Sequence, residues 1–203
     1  MIGLIDYGSG NFASVYNALK TLTQDIEIIK NGKQLNTCSH IILPGVGSFG
    51  SAISKLNKLG LVDDLRDAVL SKKIPFLGIC VGMQLLAEIG FEFGEHRGLG
   101  FIKSKVKKLD IDQEKFPLPH MGWNNLLNME NSPLFNGMDI EATFYFVHSF
   151  HLEIEEPSIK TVNVNYGKDF VAALSMGNIH GVQFHPEKSQ YYGLKLLDNF
   201  IRL

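Results

Sequence analysis

The chain has 203 residues, and its 19 Lys+Arg against 21 Asp+Glu give a formal charge of −2, with 45% hydrophobic and 20% charged residues. This composition excludes dominant disorder and fits one globular domain over residues 1–203, since domains run roughly 50–250 residues. Near-neutral charge leaves no electrostatic footprint for nucleic acid, no window approaches the ~18 apolar residues of a bilayer span, and Asp6 interrupts the apolar start before a signal-peptide core can form, so a soluble, cytoplasmic chain is expected.

In chain order, residues 2–5 read as a strand, and Asp6-Tyr7-Gly8-Ser9-Gly10-Asn11 as a glycine-rich turn into a helix over 12–22. A strand, turn and helix invite a phosphate-loop reading, but the turn lacks Lys-Ser/Thr and the full Gly-x-Gly-x-x-Gly spacing. Strands follow at 26–29 and 40–43, and the second runs into Pro44-Gly45-Val46-Gly47, whose backbone N–H groups stand clear of side chains. Helices are predicted over 50–56 and 61–71, a buried strand over 75–79 and a helix over 83–88. This alternation is the pattern of βα units around a mostly parallel sheet.

Between that strand and helix stands Gly78-Ile79-Cys80-Val81-Gly82, the Gly-x-Cys-x-Gly form of a nucleophile elbow with cysteine in place of serine. A tight turn would aim the thiol out of the sheet, and the helix N-terminus would favour thiolate. The Val81 N–H could then stabilise an oxyanion, with a second donor from the Gly45, Val46 and Gly47 loop. The competing readings are a small buried hydrophobe for Cys80 and an ordinary βα turn for the loop. Cys38 has no such glycines and is expected to pack inside; two thiols are too few for a disulfide scaffold.

After Gly98 the texture changes to β-branched and aromatic runs, with strands predicted at 101–109, 143–150, 161–166, 170–175 and 179–184, several pairing as antiparallel hairpins. Residues 110–119 read as a mobile loop and 194–202 as a closing amphipathic helix. The densest basic run, 103–108, is followed by Asp110, Asp112 and Glu114 and reads as a solvated face. His120, His148, His151 and His180 follow no recognised zinc spacing, so no metal and no cofactor are expected. The expected architecture is α/β: a mostly parallel central sheet flanked by helices, with an antiparallel β extension.

A nucleophilic cysteine needs a base, and the base an orienting acceptor. Val182-Gln183-Phe184-His185-Pro186-Glu187-Lys188-Ser189 offers both at one strand end. On extended backbone, side chains two apart point the same way, so His185 and Glu187 could share a face, with Pro186 preventing a helix between them.

Taken together, Gly-Ile-Cys-Val-Gly-Met-Gln at 78–84, Pro-Gly-Val-Gly at 44–47 and His-Pro-Glu-Lys-Ser at 185–189 resemble the signature segments of the class I glutamine amidotransferases. Asp6–Asn11 and Pro119-His120-Met121-Gly122-Trp123-Asn124 resemble one branch of that family, the glutaminase subunits of imidazole glycerol phosphate synthase. The resemblance implies that Cys80 attacks the side-chain amide of glutamine and releases ammonia through a thioester, with His185 as base and Glu187 as its orienter. It also implies that Gln84 and the backbone of His148, Ser149 and Phe150 hold the amino-acid end of the substrate. The family partner is a (β/α)₈-barrel cyclase that forms a heterodimer and takes up the ammonia. Asn11, Trp123 and Lys188 match positions at or near that interface; for Trp123, burial in its own core is the other reading.

Two other functions stay open from the sequence. Relatives of this branch feed ammonia to partners that amidate sugars for surface polysaccharides, and Val81, where leucine is more frequent, leaves the pathway open. A non-catalytic scaffolding subunit is disfavoured because Cys80, His185 and Glu187 are all intact.

Overall fold

In the computed structural model, which describes residues 1–203, the short runs of Ile, Leu and Val near the N-terminus become strands connected by helices. These are β1 (Ile2–Ile5), α1 (Phe12–Lys20), β2 (Ile26–Ile29), β3 (His40–Leu43), α2 (Phe49–Lys58), α3 (Leu61–Arg66), β4 (Phe76–Ile79) and α4 (Val81–Gln84). Then come the short β5 (Ile89–Gly90) and β6 (His96–Arg97), β7 (Ser104–Lys108), β8 (His120–Asn125), β9 (Thr143–His148) and β10 (Phe150–Ile154). The chain closes with β11 (Lys160–Asn165), β12 (Asp169–Met176), β13 (Ile179–Val182) and α5 (Gln190–Ile201).

The central sheet has seven strands in the order β11-β12-β13-β4-β3-β1-β2. Its five strands from β13 to β2 are parallel, and β12 and β11 add antiparallel. Strands β1, β4 and β13 are buried at every position, as parallel strands covered on both faces must be. A smaller sheet, β10-β7-β5-β6, and the β8-β9 hairpin complete the extension. Phe144 and Phe146 of the hairpin and Val162 and Val164 of β11 join Leu4, Ile42 and Leu77 in one continuous core, so the extension has no core of its own.

Several elements differ from the sequence expectation. The expected strand at 143–150 breaks at Ser149, whose carbonyl accepts from the Leu109 N–H at 2.8 Å, and the chain passes from the hairpin into the smaller sheet. The sequence predicts no strand between residues 109 and 143, yet residues 120–125 form β8, paired residue for residue with β9 from His120↔His148 to Asn125↔Thr143. The helix expected over 83–88 stops at Gln84, because the carbonyls of Leu85, Leu86 and Ala87 accept from Leu99, Phe101 and Gly100 instead of propagating the helix. The basic run becomes β7, with Lys105 and Lys107 paired across to Glu155 and Glu153 at 2.6 and 2.7 Å. The loop over 110–119 is tied down where Phe116 meets the Tyr166 ring edge-on and the Tyr166 hydroxyl donates to the Pro117 carbonyl.

Candidate active site

The C-terminal ends of β3, β4 and β13 lie side by side, with Leu43 opposite Gly78 and Val182 opposite Ile79. The three segments that leave these ends are therefore brought together: the Pro44–Gly47 loop, Cys80 and the His185–Ser189 turn. Ligands in parallel α/β sheets characteristically bind at this edge.

Cys80 turns the chain from β4 into α4 with φ 54° and ψ −109°, a conformation that costs a side-chain-bearing residue of order 1–3 kcal/mol. The turn is held by the Cys80 N–H, which donates to the Val182 carbonyl at 2.7 Å. It also needs both flanking glycines. A Cβ on Gly78 would fall 2.4 Å from the Gly82 carbonyl oxygen, and one on Gly82 would fall 2.0 Å from that of Leu43. At four residues, α4 is too short for the helix-dipole argument to carry weight. The thiol is buried and lines a cavity of about 200 Å³, below the 300–1,000 Å³ of drug-sized sites and suited to an amino acid.

His185 and Glu187 meet with Nδ1 2.8 Å from Oε1, and both side chains are fully buried. The backbone between them is not extended as the sequence suggested: Pro186–Lys188 is a 3-10 turn with proline at its first position, where its missing N–H costs nothing. A carboxylate only accepts, so Nδ1 carries the proton. Nε2 is buried without a hydrogen-bond partner, and the Cys80 sulfur is near enough to act on the ring. Burial alone would lower the His185 pKa, but the adjacent Cys80 sulfur and the Glu187 carboxylate outweigh it and hold the imidazole well above its usual range. The arrangement places a protonated imidazole directly beside the Cys80 side chain, the setting in which cysteine nucleophiles are activated.

Asn11, expected at a partner interface, is instead 4% exposed and faces inward. Its Nδ2 donates to Glu187 Oε1 at 3.0 Å, and its Oδ1 accepts from Ser9 Oγ at 2.7 Å. Ser9 Oγ in turn accepts from the Val46 N–H at 3.2 Å. An unbroken hydrogen-bonded line thus runs from the Pro44–Gly47 loop through Ser9 and Asn11 to the carboxylate behind His185.

The oxyanion donors are a second correction. Val46, Gly47 and Val81 line the cavity, but the Val81 N–H is occupied by the Gly45 carbonyl at 3.3 Å and the Val46 N–H by Ser9. The Gly45–Val46 peptide presents its oxygen where its N–H was expected. Gly45 therefore contributes an acceptor in this state. A turn of that one peptide would free Val81 and present Val46.

Gln84 lies at the cavity wall with Nε2 donating to the Phe150 carbonyl at 3.0 Å and to Gln183 Oε1 at 3.1 Å. His148, Ser149 and Phe150 form the facing wall. The His148 imidazole itself turns away: Nδ1 donates to the Phe150 carbonyl at 2.9 Å and Nε2 meets His120 Nδ1 at 3.1 Å. The sequence reading missed Glu92, whose carboxylate lines the cavity and accepts from the Phe49 N–H at 2.8 Å, and Gln183, whose Nε2 lies 3.7 Å from the Cys80 sulfur. Nothing local marks Glu92; the β5-β6 hairpin alone brings it here. No three His, Cys, Asp or Glu side chains are arranged to hold a metal ion.

Trp123 and Lys188 lie outside the cavity. Trp123 is 47% exposed and meets Tyr145 edge-on, so it is not core, and Met121 beside it on β8 is 61% exposed. The Lys188 ammonium sits 5.6 Å from the Tyr145 ring centre, in cation–π range. Cys38 is buried, donates to the Gln34 carbonyl and has its thiol pKa pushed up to about 11 by burial, then by the charge of Glu27. It is no rival nucleophile.

Burial pulls His148 down to about 3 and His180 down to about 4. In the unfolded chain both would protonate near 6.5, so between that pH and about 4 the unfolded state binds more protons and folding weakens as pH falls. The raised His185 adds almost no slope there, being protonated on both sides once pH is below 6.5. Unfolding free energies from urea titrations should therefore decline from pH 6.5 to 4.5, by about 2 kcal/mol or less per neutral histidine. A flat profile would show that these imidazoles are not held neutral.

A model of the class-I glutamine amidotransferase family matches residues 3–203. Among curated proteins, imidazole glycerol phosphate synthase subunit HisH 1 of Campylobacter jejuni is 47% identical, and subunit HisH of Leptospira interrogans 44%, each over 100% of both chains. Among solved structures, PurLQS from Thermotoga maritima matches with a TM-score of 0.75 at 19% identity, covering 99% of this chain and 97% of that one. A glutamine amidotransferase from the same organism matches with a TM-score of 0.65 at 16% identity, covering 99% of this chain and 96% of that one.

Proposed function

The chain belongs to the class-I glutamine amidotransferase family, and from that premise we propose that it is the glutaminase subunit of imidazole glycerol phosphate synthase, acting as one domain over residues 1–203. The observation that carries the chemistry is the strained Cys80 elbow at the cavity, with the buried His185–Glu187 pair behind it.

In this reading the Cys80 thiolate adds to the side-chain amide carbon of glutamine. The tetrahedral oxyanion collapses as the C–N bond breaks, and the His185 imidazolium gives its proton to the leaving nitrogen, which departs as ammonia. Neutral His185 then takes a proton from water, whose oxygen attacks the thioester. Glutamate leaves and the thiol is restored. Glu187, steadied by Asn11, holds the imidazole in place through both proton transfers. The Glu92 carboxylate suits the substrate's α-ammonium group, and Gln84, fixed between Phe150 and Gln183, shapes the opposite wall.

The names of the curated relatives support a partner subunit in a two-part synthase. We take that partner to be a (β/α)₈-barrel cyclase receiving ammonia directly, in a cytoplasmic heterodimer serving histidine biosynthesis. The exposed Met121 and Trp123, with Lys188 over Tyr145, supply the aromatic and cationic anchors that interfaces favour. Nothing observed favours the sugar-amidating or scaffolding alternatives.

A glutamine analogue carrying a diazoketone in place of the amide tests the site directly. One equivalent should attach to Cys80 and none to Cys38, with parallel loss of glutamine hydrolysis. Labelling elsewhere, or hydrolysis surviving full labelling of Cys80, would contradict the assignment.

A further inference from the structure

We propose that Tyr7 is a positioning residue for glutamine hydrolysis, its hydroxyl being the donor that receives the Gly45 carbonyl when the Gly45–Val46 peptide turns to present the Val46 N–H to the oxyanion. The inference rests on the glutaminase reading above and goes beyond it to a residue outside the triad.

The peptide must turn for the site to work. With the Gly45 oxygen on the Val81 N–H and the Val46 N–H on Ser9, neither donor can meet a developing negative charge. Rotation by about half a turn exchanges the two groups. It carries the Gly45 oxygen off Val81 and toward the side where Ser9 stands, and a carbonyl buried there needs a new donor.

Ser9 cannot supply it without loss. Its hydroxyl has one proton, given to Asn11 Oδ1 at 2.7 Å, and Asn11 in turn steadies Glu187. Redirecting that proton would loosen the triad's acid at the moment it is needed.

Tyr7 has a proton to give. The side chain is 5% exposed, and its buried hydroxyl oxygen has no hydrogen-bond partner. It lies against the peptide in question: a Cβ placed on Gly45 would fall 2.9 Å from the Tyr7 oxygen. Burial is the main reason its pKa is pushed up to about 12, with the Ser9 hydroxyl opposing and the Cys80 sulfur adding, so the hydroxyl keeps its proton at working pH. A buried hydroxyl without a partner weakens the resting fold. Phenylalanine would fill the same space without that cost, so the oxygen serves something other than stability.

The test compares wild type and Tyr7→Phe, each assembled with its synthase subunit. The expected result is a fall in kcat for glutamine of about tenfold or more, KM within about twofold, and a thermal midpoint unchanged or raised. Alkylation of Cys80 by iodoacetamide should stay within about twofold at every pH, because displacing iodide from a saturated carbon creates no oxyanion. Unchanged kcat overturns the proposal, and so does alkylation falling in step with turnover, which would place Tyr7's action on the thiol. Wild type that neither hydrolyses glutamine nor alkylates at Cys80 would sink the glutaminase reading itself, and this proposal with it.

Discussion

Cys80→Ala should abolish glutamine hydrolysis, by at least about 10⁴-fold, while leaving the assembled synthase able to use free ammonia. The substitution removes only a sulfur atom from a cavity wall and keeps the Cβ. Alanine meets the same strain at φ 54° that cysteine already bears, so the elbow and the fold should persist. The His185–Glu187 pair also survives, but without a nucleophile beside it. Glutamate release from glutamine and product formation from ammonium salts at alkaline pH, measured on the same complex, separate the two outcomes. Glutamine turnover near the wild-type rate would end the thioester mechanism.

Gly82→Ala is the second large effect, and it acts through backbone alone. The added Cβ would sit 2.0 Å from the Leu43 carbonyl oxygen and 3.0 Å from its carbon. Those atoms end β3, hydrogen-bonded between β1 and β4, and cannot yield as a flexible side chain would. Either α4 moves off the sheet or the elbow opens, and both displace Cys80 from His185. The expected result is a loss of about 3 kcal/mol or more of stability and at least about a hundredfold of kcat. Urea denaturation and glutamine turnover on one preparation measure both. Gly78→Ala should behave alike, since its Cβ would meet the Gly82 carbonyl at 2.4 Å. Near-normal activity in either variant would mean that the sharp turn at Cys80 is dispensable.

Much of this molecule was legible from residue order. Runs without polar residues such as Ile2–Ile5 and Phe76–Ile79 identify buried parallel strands because no alternation is needed when both faces are covered. The elbow was legible because glycines at fixed offsets from a cysteine have a single economical explanation in close backbone approach. What escaped depends on chain segments meeting from afar. Asn11 closes the glycine-rich Asp6–Asn11 turn and matches a position at or near the family's partner interface, and only the fold brings it within 3.0 Å of Glu187, 176 positions away. Residues 120–125 contain glycine and two asparagines, weak strand formers, and form β8 because β9 stands opposite to pair with them. The orientation of the Gly45–Val46 peptide is invisible to sequence altogether, since either orientation uses the same residues. It was Ser9 and Gly45 as hydrogen-bond acceptors that decided it.

Strand β9 alternates its side chains so that Phe144, Phe146 and His148 enter the core while Tyr145 and Val147 lie on the other face. Tyr145 touches Trp123 and lies under Lys188, whereas Val147, two residues on, lines the cavity beside Cys80. One face of one strand thus serves both the proposed docking patch and the substrate wall. A lineage that altered β9 to accept a different partner would disturb the glutamine pocket in the same step. Partner choice and substrate handling are in this way inherited together, and divergence toward a new partner should be recorded first on β8, where Met121 and Trp123 can change without touching the cavity.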